Sequence, residues 1–318
     1  MPQYDKLQIY FNGEFKPLSD ARLSIFDHGV MLGDMVYEMT RTFAHKPFML
    51  DAHLDRLMAS CRFTGINPGL SRQEVEDVTL QVLALNEPLI EPELDIFIRH
   101  DISRGTMAHY ERCVRPDCPE AVVGRPTVII ACIPLVDYLG RAARYFDGGL
   151  HAVVTPQQAI PARYLDPKCK TRSRLHYQMA NLQARHLDPE AWAVLVDEHG
   201  HIAEGTSSNF HIVKNGAIYT SQGRNVLRGC SRQYVARLAD QLGIPCHEAN
   251  IEPYDVVNAD EAFFTASSYC LCPATRFNFQ PIGDGQVGPV VKRLLRQWSE
   301  NVGVDLVAQA KMVAERYC

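Results

Sequence analysis

Two Asn-Gly pairs constrain this chain more than any other feature. Each stands between short runs that alternate apolar and polar residues: 8–15 around Asn12-Gly13, and 210–213 with 217–219 around Asn215-Gly216. Asn and Gly tolerate the positive φ that a two-residue hairpin turn requires at its centre, so each run predicts an antiparallel pair. Helical patterns are interleaved with these hairpins. Leu54, Leu57, Met58 and Cys61 recur at i, i+3, i+4 and i+7. Ser71 with Glu74 spells a capping box, after which Val75, Val78, Val82 and Leu83 form an apolar stripe. Leu175, Met179, Leu182 and His186 predict another helix, and Ser231 is placed to cap one that runs to Leu242 and stops at Gly243 and Pro245. Pro289 sits where a final helix would begin, because its missing amide costs nothing in the first turn. Strand-like runs occupy 94–98, 127–133, 149–154, 193–196 and 262–265. Strands and helices mix without strict βαβ alternation, so the expected class is α+β.

The chain has 318 residues, compatible with two domains. A composition change at 134–142 marks a linker, which divides the chain into an N-terminal domain over 1–133 and a C-terminal domain over 143–318. The net charge is −5 without a basic patch, so there is no electrostatic reason to expect nucleic acid. The most apolar stretch, 128–136, is about half the roughly 20 residues a membrane span needs, and no membrane association is expected. The N-terminus lacks a basic start followed by an apolar run. The ten cysteines are scattered, and reduced thiols in a cytoplasmic protein are the expectation. Cys113 and Cys118 come nearest to a metal pair, but no second pair follows at zinc-site spacing, so no metal is expected. The polar segment 104–125 is too long for a plain connector and reads as a functional loop or lid. No P-loop, HExxH or GxSxG pattern occurs.

The informative region is 166–209. Lys168 and Lys170 precede a helix, and a Glu-Gly-Thr-Ser-Ser-Asn turn runs from Glu204 to Asn209. This region resembles the lysine segment and "EG-small-x-x-N" turn of the class IV aminotransferases, the fold-type IV pyridoxal-phosphate enzymes. The resemblance covers most of the chain and is carried by pieces in family order: IYFNGEF, then ARLSIFDHGVMLGDMVYEMTRTF, HLDRL, NVLRGCSR, FFTASSYCLCPAT and DGQVGPVVKRL. It implies a two-domain fold like that of D-amino acid aminotransferase, with a smaller N-terminal and a larger cofactor-binding C-terminal domain. It further implies a homodimer whose sites lie near the domain and subunit interfaces. The cofactor implied is pyridoxal 5'-phosphate. Lys170 corresponds to the lysine that bonds the cofactor aldehyde, chosen over Lys168 by family spacing. Glu204, 34 positions later, corresponds to the carboxylate at the pyridine nitrogen. Arg56 would pair with the phosphate as a planar guanidinium can. Gly229 with the amides of Cys230 and Ser231 would form the phosphate turn, where a helix N-terminus favours an anion, and Ser267 would add a hydroxyl.

The pocket pattern is mixed. GDMVYE resembles D-amino acid and (R)-amine members. The Arg-x-His clamp of the D-amino acid enzymes is replaced here, after Arg104-Gly105-Thr106, by His109-Tyr110-Glu111. Phe97-Ile98-Arg99 and PLVDYLG, with Tyr138 at an aromatic position near the substrate, resemble the branched-chain members. Leu32 and Met39 replace a pocket tyrosine and glycine of those enzymes. Leu175 stands where they place the tyrosine facing the cofactor's ring oxygen, and Tyr177 is out of register for that role. Leu32, Tyr37, Met39, Phe97 and Met107 are therefore candidates for an apolar substrate pocket, with Arg99, His109, Tyr138 and Ser268 as polar candidates. The resulting expectation is a ping-pong aminotransferase passing nitrogen between an apolar, branched-chain-like amino acid and a 2-oxo acid. An (R)-amine transaminase, a D-amino acid transaminase and an aminodeoxychorismate-type lyase remain alternatives.

Overall fold

The computed structural model describes residues 4–114 and 124–318. The chain divides into two compact units, Met1–Leu135 with Cys169–Ser173, and Val136–Lys168 with Arg174–Cys318. Among the described residues, the first unit is built on a six-stranded antiparallel sheet. Its strands are β1 (Gln8–Phe11), β2 (Glu14–Pro17), β3 (Met35–Phe43), β4 (Lys46–Pro47), β5 (Ile96–Ser103) and β6 (Thr127–Pro134), in the order β2-β1-β6-β5-β3-β4. Asn12 and Gly13 form the first hairpin turn at φ 52° and 99°, as expected of that pair. β5 starts later than the β-branched run suggests. Leu94 is spent on a turn to Glu91, and Asp95 turns to meet the buried Arg41 at 2.9 Å.

Among the described residues, four α-helices belong to this unit: α1 (His28–Leu32), α2 (Leu50–Thr64), α3 (Arg72–Asn86) and α4 (Ala108–Val114). α2 packs on β3, and α3 on β1 and β6. The Ser71–Glu74 capping box forms in both directions. Val78 is only half-buried. Thr79 takes the inward position instead, where its hydroxyl lies 2.9 Å from His100 Nε2. α4 falls inside the segment expected to be a loop or lid. Residues 115–123, with Cys118, Pro116 and Pro119, lie outside the described residues. Residues 169–173 complete the unit by pairing with the edge of β3. Tyr37 N–H donates to Lys170 O at 2.9 Å, and Arg172 N–H to Met35 O at 2.8 Å.

The second unit opens with α5 (Asp137–Ala142), which lies within the expected linker, and α6 (Tyr145–Gly148). Among the described residues its sheet is nine-stranded and mixed. It comprises β7 (Leu150–Val154), β8 (Trp192–Val196), β9 (Ile202–Gly205), β10 (Asn209–Lys214), β11 (Ala217–Ser221), β12 (Cys246–Ala249), β13 (Glu261–Ala266), β14 (Cys270–Phe277) and β15 (Gln280–Pro281). The order is β12-β11-β10-β13-β14-β7-β8-β9, with β15 on β14. β9 also pairs with β10 through Glu204 and Asn209, which closes the strands from β10 to β9 into a ring.

The further helices described in this unit are α7 (Leu175–Leu187), α8 (Cys230–Gln241), α9 (Pro253–Val257), α10 (Pro289–Val302) and α11 (Leu306–Tyr317). α7 buries Ala180 and Ala184 against Val153, Ala193 and Leu195. Its expected apolar stripe of Leu175, Met179 and Leu182 is instead exposed. The cap of α8 is Gly229, not Ser231, which is buried inside the first turn. Pro289 does open a helix, and Glu261 caps it from the sheet by accepting the amides of Val290 and Val291. That helix is not the last. Asp305 accepts the amides of Val307 and Ala308 and so starts α11, which packs on α5. Among the described residues, no helix is long and apolar enough to cross a membrane, and no group of three or more His, Cys, Asp or Glu could hold a metal ion.

Candidate active site

Successive residues of a strand face opposite sides, and β3 uses this at Tyr37 and Glu38. Glu38 is fully buried and meets α2. Its Oε2 accepts Arg56 Nε at 2.8 Å, and its Oε1 accepts Arg56 Nη2 at 2.7 Å and Met39 N–H at 2.8 Å. His53 Nδ1 lies 3.0 Å from the same Oε1. Burial acts to raise the Glu38 carboxyl, but the charges of Arg56 and His53 and their hydrogen bonds outweigh it and hold it well below 4.5. The bidentate contact fixes the plane of the Arg56 guanidinium. One turn further along α2, on the same side of the helix, Ser60 Oγ accepts Lys170 N–H at 3.2 Å. The helix that carries Arg56 thus also holds the lysine segment.

Tyr37 points the other way. Its ring lies under the Lys170 ammonium at 4.6 Å and the Arg172 guanidinium at 3.7 Å. Opposite Tyr37 in register is Asp101, with Arg99 opposite Met39 and Phe97 opposite Arg41. Asp101 receives Arg172 Nε at 2.7 Å and also pairs with Arg99. One carboxylate therefore serves two guanidiniums on this face. Phe97 is buried and Met39 half-buried. Leu32 is 62% exposed at the end of α1. Met107 is half-buried and tied to Phe26 O through its amide at 3.0 Å. His109 is exposed on α4, with its ring 3.8 Å from that of Tyr110.

In the second unit Glu204 sits at the closure of the ring, and it is buried. Its Oε1 accepts the Tyr177 hydroxyl at 2.8 Å, and its Oε2 accepts Leu227 N–H at 3.1 Å and Asn209 Nδ2 at 3.3 Å. Burial, then the neighbouring Glu204 charge, push the Tyr177 hydroxyl well above 10, so it remains a neutral donor. Asn209 also donates to Leu227 O at 2.8 Å, which links the Glu204 turn to the turn that opens α8. A Cβ on Gly229 would stand 2.1 Å from Asn209 Oδ1, so glycine is what lets the two turns approach. Cys230 and Ser231 are buried in the first turn of α8, whose cap offers no side chain to the leading amides. Ser267 and Ser268 lie in the turn between β13 and β14, half-buried and buried respectively. Thr265, opposite Asn209 in register, has a buried hydroxyl with no hydrogen-bond partner among the described residues. Tyr138 is 53% exposed on α5.

The sequence reading assigned no role to Glu38, His53, Asp101, Arg172 or Asn209, and gave Tyr177 no place beside Glu204. Glu38, His53 and Asn209 lie inside the quoted pieces GDMVYE, HLDRL and EGTSSN. Their signal was a polar residue at an otherwise apolar strand position or beside a site residue.

The class this architecture defines is recognisable from other chains. The model of the family "Amino-transferase class IV" matches residues 35–277. A Methanocaldococcus jannaschii protein named "Putative branched-chain-amino-acid aminotransferase" is 31% identical over 92% of this chain and 96% of its own. A D-alanine aminotransferase of Staphylococcus aureus is 27% identical over 90% and 95%. Among solved structures, a T.th. branched-chain amino acid aminotransferase with pyridoxamine 5'-phosphate superposes at TM-score 0.81, with 25% identity over 94% of this chain and 95% of that one. The Escherichia coli branched-chain enzyme gives TM-score 0.81 at 25% identity over 93% of each chain. The chain belongs to the class IV aminotransferases, with the fold-type IV architecture and the α+β class expected of it. It is an enzyme of pyridoxal-phosphate-dependent transamination, acting on an amino donor and a 2-oxo acid.

The residues described fit that cofactor. A phosphate calls for amides, hydroxyls and a guanidinium. α8 begins with amides that have no side-chain cap, the Thr265 hydroxyl is buried without a partner among the described residues, and Arg56 is held in a fixed plane. A pyridinium calls for a buried carboxylate, and an aldehyde for an amine. Glu204 is a buried carboxylate and Lys170 carries an amine, the kinds of group these two requirements name.

Proposed function

We propose that this enzyme moves an amino group between an apolar, branched-chain-like amino acid and a 2-oxo acid. The observation that carries this reading is Asp101 shared between Arg99 and Arg172 on the face of Tyr37 and Lys170. Two guanidiniums converge on one carboxylate beside the Lys170 amine, and a face this rich in cations suits a substrate that brings its own carboxylate. An (R)-amine brings none. Tyr37, Met39 and Phe97 supply apolar surface on the same face. The Methanocaldococcus relative's name supports the branched-chain side of the reading, and the missing Arg-x-His clamp weighs against the D-amino acid side.

Arg56, Lys170, Glu204, Gly229, Cys230, Ser231 and Ser267 are the residues proposed to hold the cofactor. When bound, pyridoxal phosphate supplies the aldehyde that carries the amino group and a ring that takes up electron density. Lys170 holds it through Nζ and, once released, moves the proton at the substrate α-carbon. The Tyr37 ring limits where that amine can travel. Glu204 holds a proton at the ring nitrogen, and its three described donors compensate the burial of its charge. Arg56, the α8 amides and Ser267 bind the phosphate and set the orientation of the whole.

Domains over 1–133 and 143–318 are proposed as the working parts, with 134–142 as their connection. The protein is further proposed to act as a cytoplasmic homodimer without membrane or nucleic-acid partners. The exposed apolar stripe of α7 supports assembly, since such a stripe on one chain calls for cover.

A donor panel tests the substrate reading: L-leucine, D-alanine and both enantiomers of 1-phenylethylamine, followed by the absorbance of the bound cofactor. L-leucine is expected to convert fastest. Conversion by D-alanine alone, or by one phenylethylamine alone, would overturn it. Continued turnover without a 2-oxo acid would identify a lyase instead.

A further inference from the structure

The inference rests on the reading of Glu204 as the partner of the cofactor's ring nitrogen, and it concerns what aims that carboxylate. A carboxylate at the end of two methylenes rotates unless something stops it. Two of the described donors, Leu227 N–H and Asn209 Nδ2, grip Oε2 at 3.1 and 3.3 Å. The shortest of the three contacts is on the other oxygen, where the Tyr177 hydroxyl lies 2.8 Å from Oε1. Tyr177 is itself braced. The Arg174 guanidinium stands 4.9 Å from the centre of its ring and donates to Thr206 O. The Thr206 hydroxyl returns to α7 by donating to Asn181 Oδ1 at 2.9 Å. The buried Ala180 and Ala184 seat α7 on the sheet. The helix and the Glu204 turn are therefore clasped at two points, and Tyr177 is the point that reaches the carboxylate.

We propose that Tyr177 is a positioning residue for the reaction: its neutral hydroxyl locks the rotation of the Glu204 carboxylate without cancelling its charge. A cation in the same place would lock it equally well and would compete with the ring nitrogen for it. The family resemblance gives position 177 no such role, and the geometry assigns it one.

The test compares holoenzymes of the parent, Tyr177→Phe and Glu204→Gln, reading kcat and KM, the dissociation constant for pyridoxal phosphate, and the pH midpoint of the bound cofactor's absorbance. Tyr177→Phe is expected to lower kcat about tenfold with KM within about twofold, the size of one hydrogen bond to a charged group. It is expected to move the absorbance midpoint by about half a pH unit or more. Loss of turnover in Glu204→Gln with kcat and midpoint unchanged in Tyr177→Phe overturns the proposal and leaves the Glu204 reading standing. A lowered melting temperature alone in Tyr177→Phe has the same meaning. Full turnover in Glu204→Gln sinks the Glu204 reading and takes the proposal with it. If Tyr177→Phe does not fold, Tyr177→Gln, which keeps a donor, is compared with Tyr177→Met, which has none. The proposal requires a higher kcat for Gln, and equal values overturn it.

Discussion

Two buried carboxylates, one in each unit, are held in opposite ways. Glu38 is gripped by charge: both edges of its carboxylate meet Arg56, and His53 stands against one of them. The described hydrogen bonds to Glu204 come from neutral groups, a phenol, an amide side chain and a backbone N–H, while the Arg174 guanidinium is near enough to feel its charge. Burial disfavours a carboxylate's charge in both places, and the remedy chosen decides what the carboxylate is good for. Ion pairing uses up the charge of Glu38 on the orientation of an arginine. Neutral donors stabilise the charge of Glu204 while leaving it to act on something else. Equal burial and the same residue type therefore point to a structural part in one unit and a chemical part in the other.

The sharpest test exchanges each carboxylate for its amide. Glu204→Gln keeps the shape and loses the charge, and kcat is expected to fall about a thousandfold, in the upper range for removing one preorganised electrostatic group. The melting temperature should stay close to that of the parent, because the Gln carbonyl can accept from Leu227 N–H and Asn209 Nδ2 while its NH2 donates to the Tyr177 oxygen. Turnover assays beside a thermal melt decide it, and a variant that unfolds but works when folded would break the comparison.

Glu38→Gln should do the reverse. It leaves Arg56 and His53 buried without their counter-charge, which costs about 3 kcal/mol of stability. Chemical denaturation measures this, and an unchanged midpoint would remove the structural reading. The pH dependence follows from the same pair. Glu38 titrates lower in the folded chain than when unfolded, so its contribution is full above the unfolded value near 4.5 and drains away as pH falls below it. The parent should lose stability below about pH 4.5 more steeply than Glu38→Gln, which has no proton to take up there. Parallel acid-denaturation curves would show that Glu38 is not the titrating group.

What was legible in the sequence divides along a related line. Features set by neighbours in the chain could be read. Asn12-Gly13 and Asn215-Gly216 announce their turns because few residues accept positive φ, and Ser71 with Glu74 announces a helix because both partners of the cap lie within four residues. Features set by distant partners could not. Nothing near Glu38 says that Arg56, 18 residues on, will close on it. Nothing near Tyr177 says that β9 will bring Glu204 to its hydroxyl. The error at α8 is of a third kind. Ser231 has the composition of a cap, yet Gly229 holds that place, because the close approach of Asn209 requires a residue with no side chain there. The stripe of α7 was visible as a period of apolar residues, but periodicity does not say which face meets the chain's own core.

Gly229 also gives the smallest and most specific expectation. Its φ of −63° suits any residue, so Gly229→Ala adds no backbone strain, and its whole effect passes through contact with Asn209. The new methyl must displace Asn209 Oδ1. The same side chain then loosens its hold on Leu227 O and on Glu204. Losing part of two neutral hydrogen bonds should weaken pyridoxal-phosphate binding about fivefold and lower kcat by less. Asn209→Ala removes the obstruction along with those bonds. In that background Gly229→Ala should therefore cost little more, and the two losses should be far from additive. If the double variant instead shows the product of the single effects, the turn of Glu204 and the turn of α8 are independent. The neutral grip on Glu204 would then end at Tyr177 and the Leu227 amide.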